Sequence, residues 1–183
     1  MIVWGGFDLN AVVVYNDGGQ YDPATDNWTA TETTSVPFAR YFHSAVWTGS
    51  EMIIWGGASR GGNRNDGGRY DPATDAWAEI STNNVPDIRN NHTAIWTGDQ
   101  MVVWGGEFYD GSYYYLDTGG RYDPATDTWV PTDTSSAPSG RFLHTALWSS
   151  SEMIVWGGDD GSSPLNSGGR YDPSTDTWTP TAQ

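Results

Sequence analysis

Three features of the sequence predict an all-β protein of the β-propeller type, with four blade-length repeats of four antiparallel strands, the first lacking its innermost strand. Trp-Gly-Gly recurs at Trp4, Trp55, Trp104 and Trp156, and Tyr-Asp-Pro-(Ala/Ser)-Thr-Asp-x-Trp begins at Tyr21, Tyr70, Tyr122 and Tyr171. A period of roughly 50 residues marks a propeller or a solenoid. The step from that Tyr to its Trp is always 7, from Trp to the next Arg 12, and from Arg to the next Trp-Gly-Gly 15. Only the stretch from Trp-Gly-Gly to Tyr-Asp-Pro varies, as 21 − 4 = 17, 70 − 55 = 15, 122 − 104 = 18 and 171 − 156 = 15.

Strand A of a repeat is His43-Ser-Ala-Val-Trp47, His92-Thr-Ala-Ile-Trp96 or His144-Thr-Ala-Leu-Trp148, and strand B is the Met-Ile-Val-Trp run that starts at Met1, Met52, Met101 or Met153. Both carry apolar residues at odd and even positions, the pattern of a strand covered on two faces. A sheet packed between two like sheets meets that need. The A–B links, Thr48 to Glu51, Thr97 to Gln100 and Ser149 to Glu152, are hairpin-sized. Strand C covers Gly-Gly-Arg-Tyr, and strand D starts at Trp28, Trp77, Trp129 and Trp178. Between C and D, Pro sets φ for a turn whose amides Asp and Thr side chains can cap. Meander sheets of this length pack radially as blades, here residues 1–33, 34–83, 84–135 and 136–183 of a single domain. The first repeat begins at its B strand, so the count is 3 + 4 + 4 + 4 = 15 strands.

These residues resemble the kelch-repeat propellers, whose blade motif runs from an apolar stretch through Gly-Gly to a Tyr and, after a fixed gap, a Trp. Gly5-Gly6, Gly56-Gly57, Gly105-Gly106 and Gly157-Gly158 supply the first landmark, and the tyrosines and tryptophans above supply the others. The resemblance implies binding through the loops around one end of the channel. In an antiparallel meander the A–B and C–D turns share one end, and the B–C loops and D-to-A connections share the other. The second, bottom, end holds every variable loop.

Composition narrows the partners. There are 18 Asp and 5 Glu against 8 Arg and no Lys, a formal charge of −15. Such a surface repels phosphate backbones and anionic membrane, so nucleic acid and membrane insertion are not expected. An acidic, Lys-free chain fits an extracellular or cell-surface setting, and no signal peptide is read ahead of the first repeat. No run approaches the ~20 apolar residues of a membrane span. With no cysteine, disulfides, thiol catalysis and Cys-ligated metals are excluded. All 11 tryptophans sit at repeat positions and read as scaffold.

The candidate ligand-binding residues lie at the bottom. The loop from Ala58 to Asp66 carries Arg60 and Arg64, and that from Glu107 to Thr118 carries Phe108, Tyr109, Tyr113, Tyr114 and Tyr115. Tyr, Arg, Asn and Gly in loops serve recognition of proteins or glycans, or are simply solvated connectors. Arg40, Arg89 and Arg141 recur three residues before His. Either each pairs with Asp or caps strand carbonyls, or the three ring the channel mouth and select carboxylates. His43, His92 and His144 share a strand face with Ala and Trp, which places them between blades as hydrogen-bonded histidines; a three-histidine metal site is set aside. Asp-Pro-Ala-Thr-Asp lacks calcium-loop spacing and is explained by its turn. No metal or cofactor is expected.

Three functions compete. The first is a non-catalytic binding scaffold that presents B–C loops and Arg-bearing connections to a protein or carbohydrate. The second is a carbohydrate-active propeller enzyme. A galactose-oxidase type is excluded for want of a Cys, and a sialidase type lacks the Gly of its Asp box. A sialic-acid-epimerase type stays open through the arginines, without a convincing acid and base. The third is a structural segment that self-assembles as a homo-oligomer or belongs to a larger propeller, because the unpaired B-strand edge of the first repeat invites augmentation.

Overall fold

The computed structural model describes residues 1–182. The first sheet is β1 (Ile2–Asp8), β2 (Val13–Asp22) and β3 (Asn27–Ala30). The second repeat gives β4 (Ser44–Trp47), β5 (Met52–Trp55), the short pair β6 (Ala58–Ser59) and β7 (Gly62–Asn63), then β8 (Gly67–Asp71) and β9 (Ala76–Glu79). The third gives β10 (Thr93–Trp96), β11 (Met101–Trp104), β12 (Glu107–Tyr109), β13 (Tyr113–Tyr115), β14 (Gly119–Asp123) and β15 (Thr128–Pro131). The fourth gives β16 (Thr145–Trp148), β17 (Met153–Trp156), β18 (Gly168–Asp172) and β19 (Thr177–Pro180). The main sheets are β1-β2-β3, β4-β5-β8-β9, β10-β11-β14-β15 and β16-β17-β18-β19, all antiparallel.

The fifteen strands read from the repeats are all present, and four short ones are added. The additions lie in the variable loops, where β6 pairs β7 and β12 pairs β13. In the first repeat the same excursion is absorbed by a longer β1–β2 hairpin that continues past an irregularity between Trp4 and Gly6. The A strands β4, β10 and β16 lie side by side, β10 touching both others, so strand A is innermost.

Packing explains why B strands are apolar throughout. The two inner ones, β5 and β11, each send alternate side chains into two different clusters. Ile53 and Trp55 join Met101, Val103, Tyr122 and Trp129; Val102 and Trp104 join Met153, Val155, Tyr171 and Trp178; Trp4 joins Met52, Ile54, Tyr70 and Trp77. The centre of each interface is a tilted indole pair, Trp4 with Trp77, Trp55 with Trp129 and Trp104 with Trp178, at centroid separations of 5.3, 5.3 and 5.1 Å. Such pairs add about 0.5–1.5 kcal/mol beyond area burial.

The turns between C and D behave as their residues dictate. Asp22, Asp71, Asp123 and Asp172 each accept the amide two residues on, at 2.8 to 2.9 Å. The closing Asp26, Asp75, Asp127 and Asp176 adopt φ between 50° and 55°, a left-handed conformation that Asp tolerates. Each then accepts the Tyr hydroxyl five residues upstream, at 2.5 to 2.8 Å. Tyr-Asp-Pro-x-Thr-Asp is therefore a self-capped hairpin turn, and the closing Asp75, Asp127 and Asp176 also accept an amide of the preceding repeat.

Candidate functional site: the loop-bearing end

At the bottom end the connection entering each A strand is tied to the B–C loop of the same repeat. Tyr41 bridges to Ala58, Asn90 to Glu107 and Phe142 to Asp159. Arg40, Arg89 and Arg141 make this tie rigid. Their guanidinium groups are buried, and each donates along the loop base: Arg40 to the carbonyls of Phe38, Gly56 and Asp66, Arg89 to those of Asp87, Gly105 and Thr118, and Arg141 to those of Ser139, Gly157 and Ser167. The spacing from Trp-Gly-Gly stays constant because the first Gly's carbonyl is one of the acceptors. Arg40 also pairs with the Asp66 carboxylate at 3.1 Å. Burial depresses all three, Arg89 to about 10, which leaves them charged at neutral pH. Of the two readings of these arginines, the geometry matches the capping of strand carbonyls. The guanidinium groups do not line the channel mouth as a ring.

The histidines sit one layer deeper. His43, His92 and His144 meet Trp4, Trp55 and Trp104 edge-on at 5.5, 5.2 and 5.2 Å. Nε2 of His92 is 2.8 Å from the Ser44 hydroxyl, and that of His144 is 2.8 Å from the Thr93 hydroxyl, so each A strand holds the next one's imidazole. Burial, reinforced by the neighbouring Arg, lowers His43 and His144 to about 4 and His92 well below its usual value. They are neutral interface groups at physiological pH.

Exposed chemistry gathers above this layer. Tyr109 and Tyr113 face each other across the β12–β13 hairpin at 5.0 Å, and Phe108 stacks on Tyr114 at 4.8 Å. Tyr115 stacks on Phe142 at 5.3 Å, its ring filling the space beside Gly161 of the next loop. Tyr109, Tyr113 and Tyr114 are exposed, whereas Tyr115 is half-buried and anchors the hairpin. Arg60 donates to the Val12 carbonyl of the preceding loop. Arg64 chelates Asp66 at 3.0 and 2.6 Å and lies 4.7 Å from the Phe38 ring centroid. The four tyrosines are thus brought together, while Arg60 braces the preceding loop and Arg64 closes its own.

The reading from spacing missed one set of residues. Phe42, Asn91 and Leu143, two positions after the recurring Arg, have φ of 57°, 52° and 54°. Their backbones run in a chain from repeat to repeat, Asn91 N–H to Phe42 O at 3.4 Å and Leu143 N–H to Asn91 O at 3.2 Å. Bulky residues at positive φ are uncommon and strained. Here the inter-repeat bonds hold them, and the Phe42 and Leu143 side chains point to solvent. The one available signal is that this position varies freely inside an otherwise constant Arg-x-x-His.

A concavity of about 730 Å³ lies beside β1, lined by Met1, Ile2, Gln20 and Tyr21 on one side and Ala45, Trp47 and Met52 on the other. It occupies the place that an A strand fills in the other three sheets. Trp47 is correspondingly exposed.

The sequence matches the KLHDC2/KLHL20/DRC7 Kelch-repeats domain over residues 1–183, and the chain belongs to the kelch-repeat family. No curated protein matches it.

Proposed function

Because the chain belongs to the kelch-repeat family, whose propellers typically serve protein binding, we propose that it is a binding scaffold whose loop-bearing end docks a protein partner. The observation that carries this reading is the exposure of Tyr109, Tyr113 and Tyr114 on one hairpin, with Phe42 and Leu143 also exposed on the connections of the same end. Aromatic side chains of two χ angles give large contact area at low entropic cost, and the hairpin that bears three of them is braced in advance. Arg40, Arg89 and Arg141 support the loops from beneath and do not touch the partner. Arg60 and Arg64 shape the neighbouring loop and border the contact. The opposite end offers short, polar, self-capped turns that are nearly the same in every repeat.

A glycan is the second candidate, favoured by the exposed tyrosine faces on which sugar rings could stack. The engagement of the Arg40, Arg89 and Arg141 guanidinium groups with backbone carbonyls weighs against their use on acidic sugars and against an epimerase-like role. Photo-crosslinking separates the candidates. A benzophenone amino acid at Tyr113 should capture a specific protein, and the same group at Ala125 on the opposite end should not. Equal capture from both ends overturns the assignment. Binding on a glycan array that Tyr113→Ala abolishes, with no protein captured, moves it to carbohydrate.

A further inference from the structure

Alternate residues of a β-hairpin share a side. Glu107 pairs with Tyr115 and Tyr109 with Tyr113, so these four share one face of the β12–β13 hairpin, with Phe108 and Tyr114 on the other. On the first face the Tyr113 and Tyr115 rings are parallel to within 3° at 6.4 Å, and Tyr115 stacks on Phe142 at 5.3 Å. Phe142 and Asp159 exchange two backbone hydrogen bonds of 3.0 Å, which ends the row of rings beside the loop that carries Asp159 and Asp160. The open end of the row is Tyr109 and Tyr113, 58% and 61% exposed.

Carboxylates border this row, and the chain's own cations are engaged elsewhere. Burial raises the Tyr115 hydroxyl above its ordinary value, and Glu107, Tyr113, Asp159 and Asp160 raise it further, so three carboxylates act on the rings. There is no Lys. Arg40, Arg89 and Arg141 are spent on the carbonyls of their own loops, Arg60 on the Val12 carbonyl and Arg64 on Asp66. Arg69, Arg121 and Arg170 stand on C strands near Glu51, Asp176 and Glu152, at 3.9, 3.7 and 3.4 Å. The Asp160 carboxyl is lowered mainly by the amides of Ser162 and Ser163, and Arg141 adds little. Among the described residues, Glu107, Asp159 and Asp160 make no ion pair.

Resting on the docking role inferred for this end, we propose that the partner presents a basic segment, and that an Arg side chain of it lies against Tyr109 and Tyr113 with Glu107, Asp159 and Asp160 supplying the countercharge. Ring faces carry the negative part of the aromatic quadrupole and attract a cation held within about 6 Å of the centroid. A guanidinium suits the site better than an ammonium, because it is planar, more weakly hydrated and able to stack on a ring. Charge decides against the other occupants. An acidic segment is repelled, and a neutral or purely apolar one gains nothing from the three carboxylates.

Fluorescence anisotropy on the full chain, with dye-labelled peptides of about twelve residues that repeat Arg-Gly-Ser, Lys-Gly-Ser or Gln-Gly-Ser, tests this. The Arg peptide should bind about 2–5-fold more tightly than the Lys peptide, and the Gln peptide should show no saturable binding. Tyr109→Leu and Tyr113→Leu should each weaken the Arg peptide by about 2–5-fold, whereas Tyr113→Phe, which keeps the ring, should not. Glu107→Gln and Asp159→Asn keep the hydrogen bonds that Asn91 and Gly161 donate, remove the charge, and should weaken binding by a similar factor. Asp99→Asn, on an A–B turn at the opposite end, should change nothing. A loss on Asp99→Asn equal to that on Glu107→Gln would show attraction to net charge alone and overturn the proposal, as would a Gln peptide that binds like the Arg peptide or a Tyr113→Leu variant that binds like wild type. The comparison of peptides on wild-type protein stands whatever a substitution does to folding. Failure of the Arg peptide to bind also overturns the proposal. If benzophenone at Tyr113 then still captures a specific protein, the docking role stands and only the basic chemistry of the partner falls; if it captures none, both fall.

Discussion

The internal faces of the sheets and the outward faces of β1–β3 and β16–β19 carry the same residue types in the same register, yet differ in almost every physical property. Trp104 is fully buried, its indole N–H on the Asp117 carbonyl at 3.1 Å, its ring edge-on to His144 and tilted on Trp178. Trp156 has the same sequence neighbours and stands half in solvent. A motif position in a repeat protein therefore has no fixed energetic value. Its value comes from the neighbouring repeat, as expected where stability is a sum of repeat and nearest-neighbour terms.

Truncation of equivalent indoles should separate the two kinds of face by the largest margin. Trp104→Ala should lower unfolding free energy by about 3–5 kcal/mol, the range for a buried aromatic, while Trp156→Ala costs less than about 1 kcal/mol. Urea denaturation of dilute protein measures both, and equal losses would refute the comparison. Next in size is Arg89→Met, which leaves the Gly105 and Thr118 carbonyls without their buried donor and should cost about 2–4 kcal/mol, against less than about 0.5 kcal/mol for Arg170→Met on an outward-facing sheet.

Glycine sharpens it further. Gly56 has φ of +70°, and a Cβ there would lie 2.7 Å from the His92 ring; Gly157 has φ of +72°, but its Cβ would meet nothing closer than 3.7 Å. Both alanine variants carry a left-handed penalty of about 1–2 kcal/mol, and Gly56→Ala adds about 1–3 kcal/mol of overpacking. Thermal melts should rank Gly56→Ala well below Gly157→Ala.

The smallest effect is on pH dependence. His43, His92 and His144 have folded values below the unfolded one near 6.5, so the unfolded chain binds more protons between about 6.5 and 4. Their contribution to stability is complete above pH 6.5 and falls on acidification toward 4, by up to about 1.4 kcal/mol per pH unit for each His. His92→Gln keeps a hydrogen-bonding group opposite Ser44 and should remove one histidine's share of the slope between about pH 6.5 and 5, above the range where the lowered carboxylates dominate. An unchanged slope would mean that the histidines are not buried neutral.

Much of the site was legible in advance, for reasons particular residues make clear. The loop-bearing end followed from counting: an antiparallel meander must put all B–C loops together, and only those loops change length. That Tyr109, Tyr113, Tyr114 and Tyr115 belong together followed from their sharing one loop. What spacing could not show was the direction of a side chain. Arg40 recurs with the regularity of a functional residue, and the same regularity serves a guanidinium turned inward to carbonyls of its own loop. Phe42 and Leu143 gave no signal in their residue types, since neither favours positive φ. Their conformation is imposed by bonds to the next repeat.

Local chemistry alone determined the strands, the turns and the order of sheets: alternation sets each face, Asp and Pro close each C–D turn, and constant steps between landmarks leave one topology. Tertiary structure decided everything that depends on a neighbour. Which tryptophans are core and which are exposed, which arginines are spent, and which two faces stand open were settled only when the sheets stacked, because burial and hydrogen bonding across repeats are properties of pairs of sheets and not of any one motif.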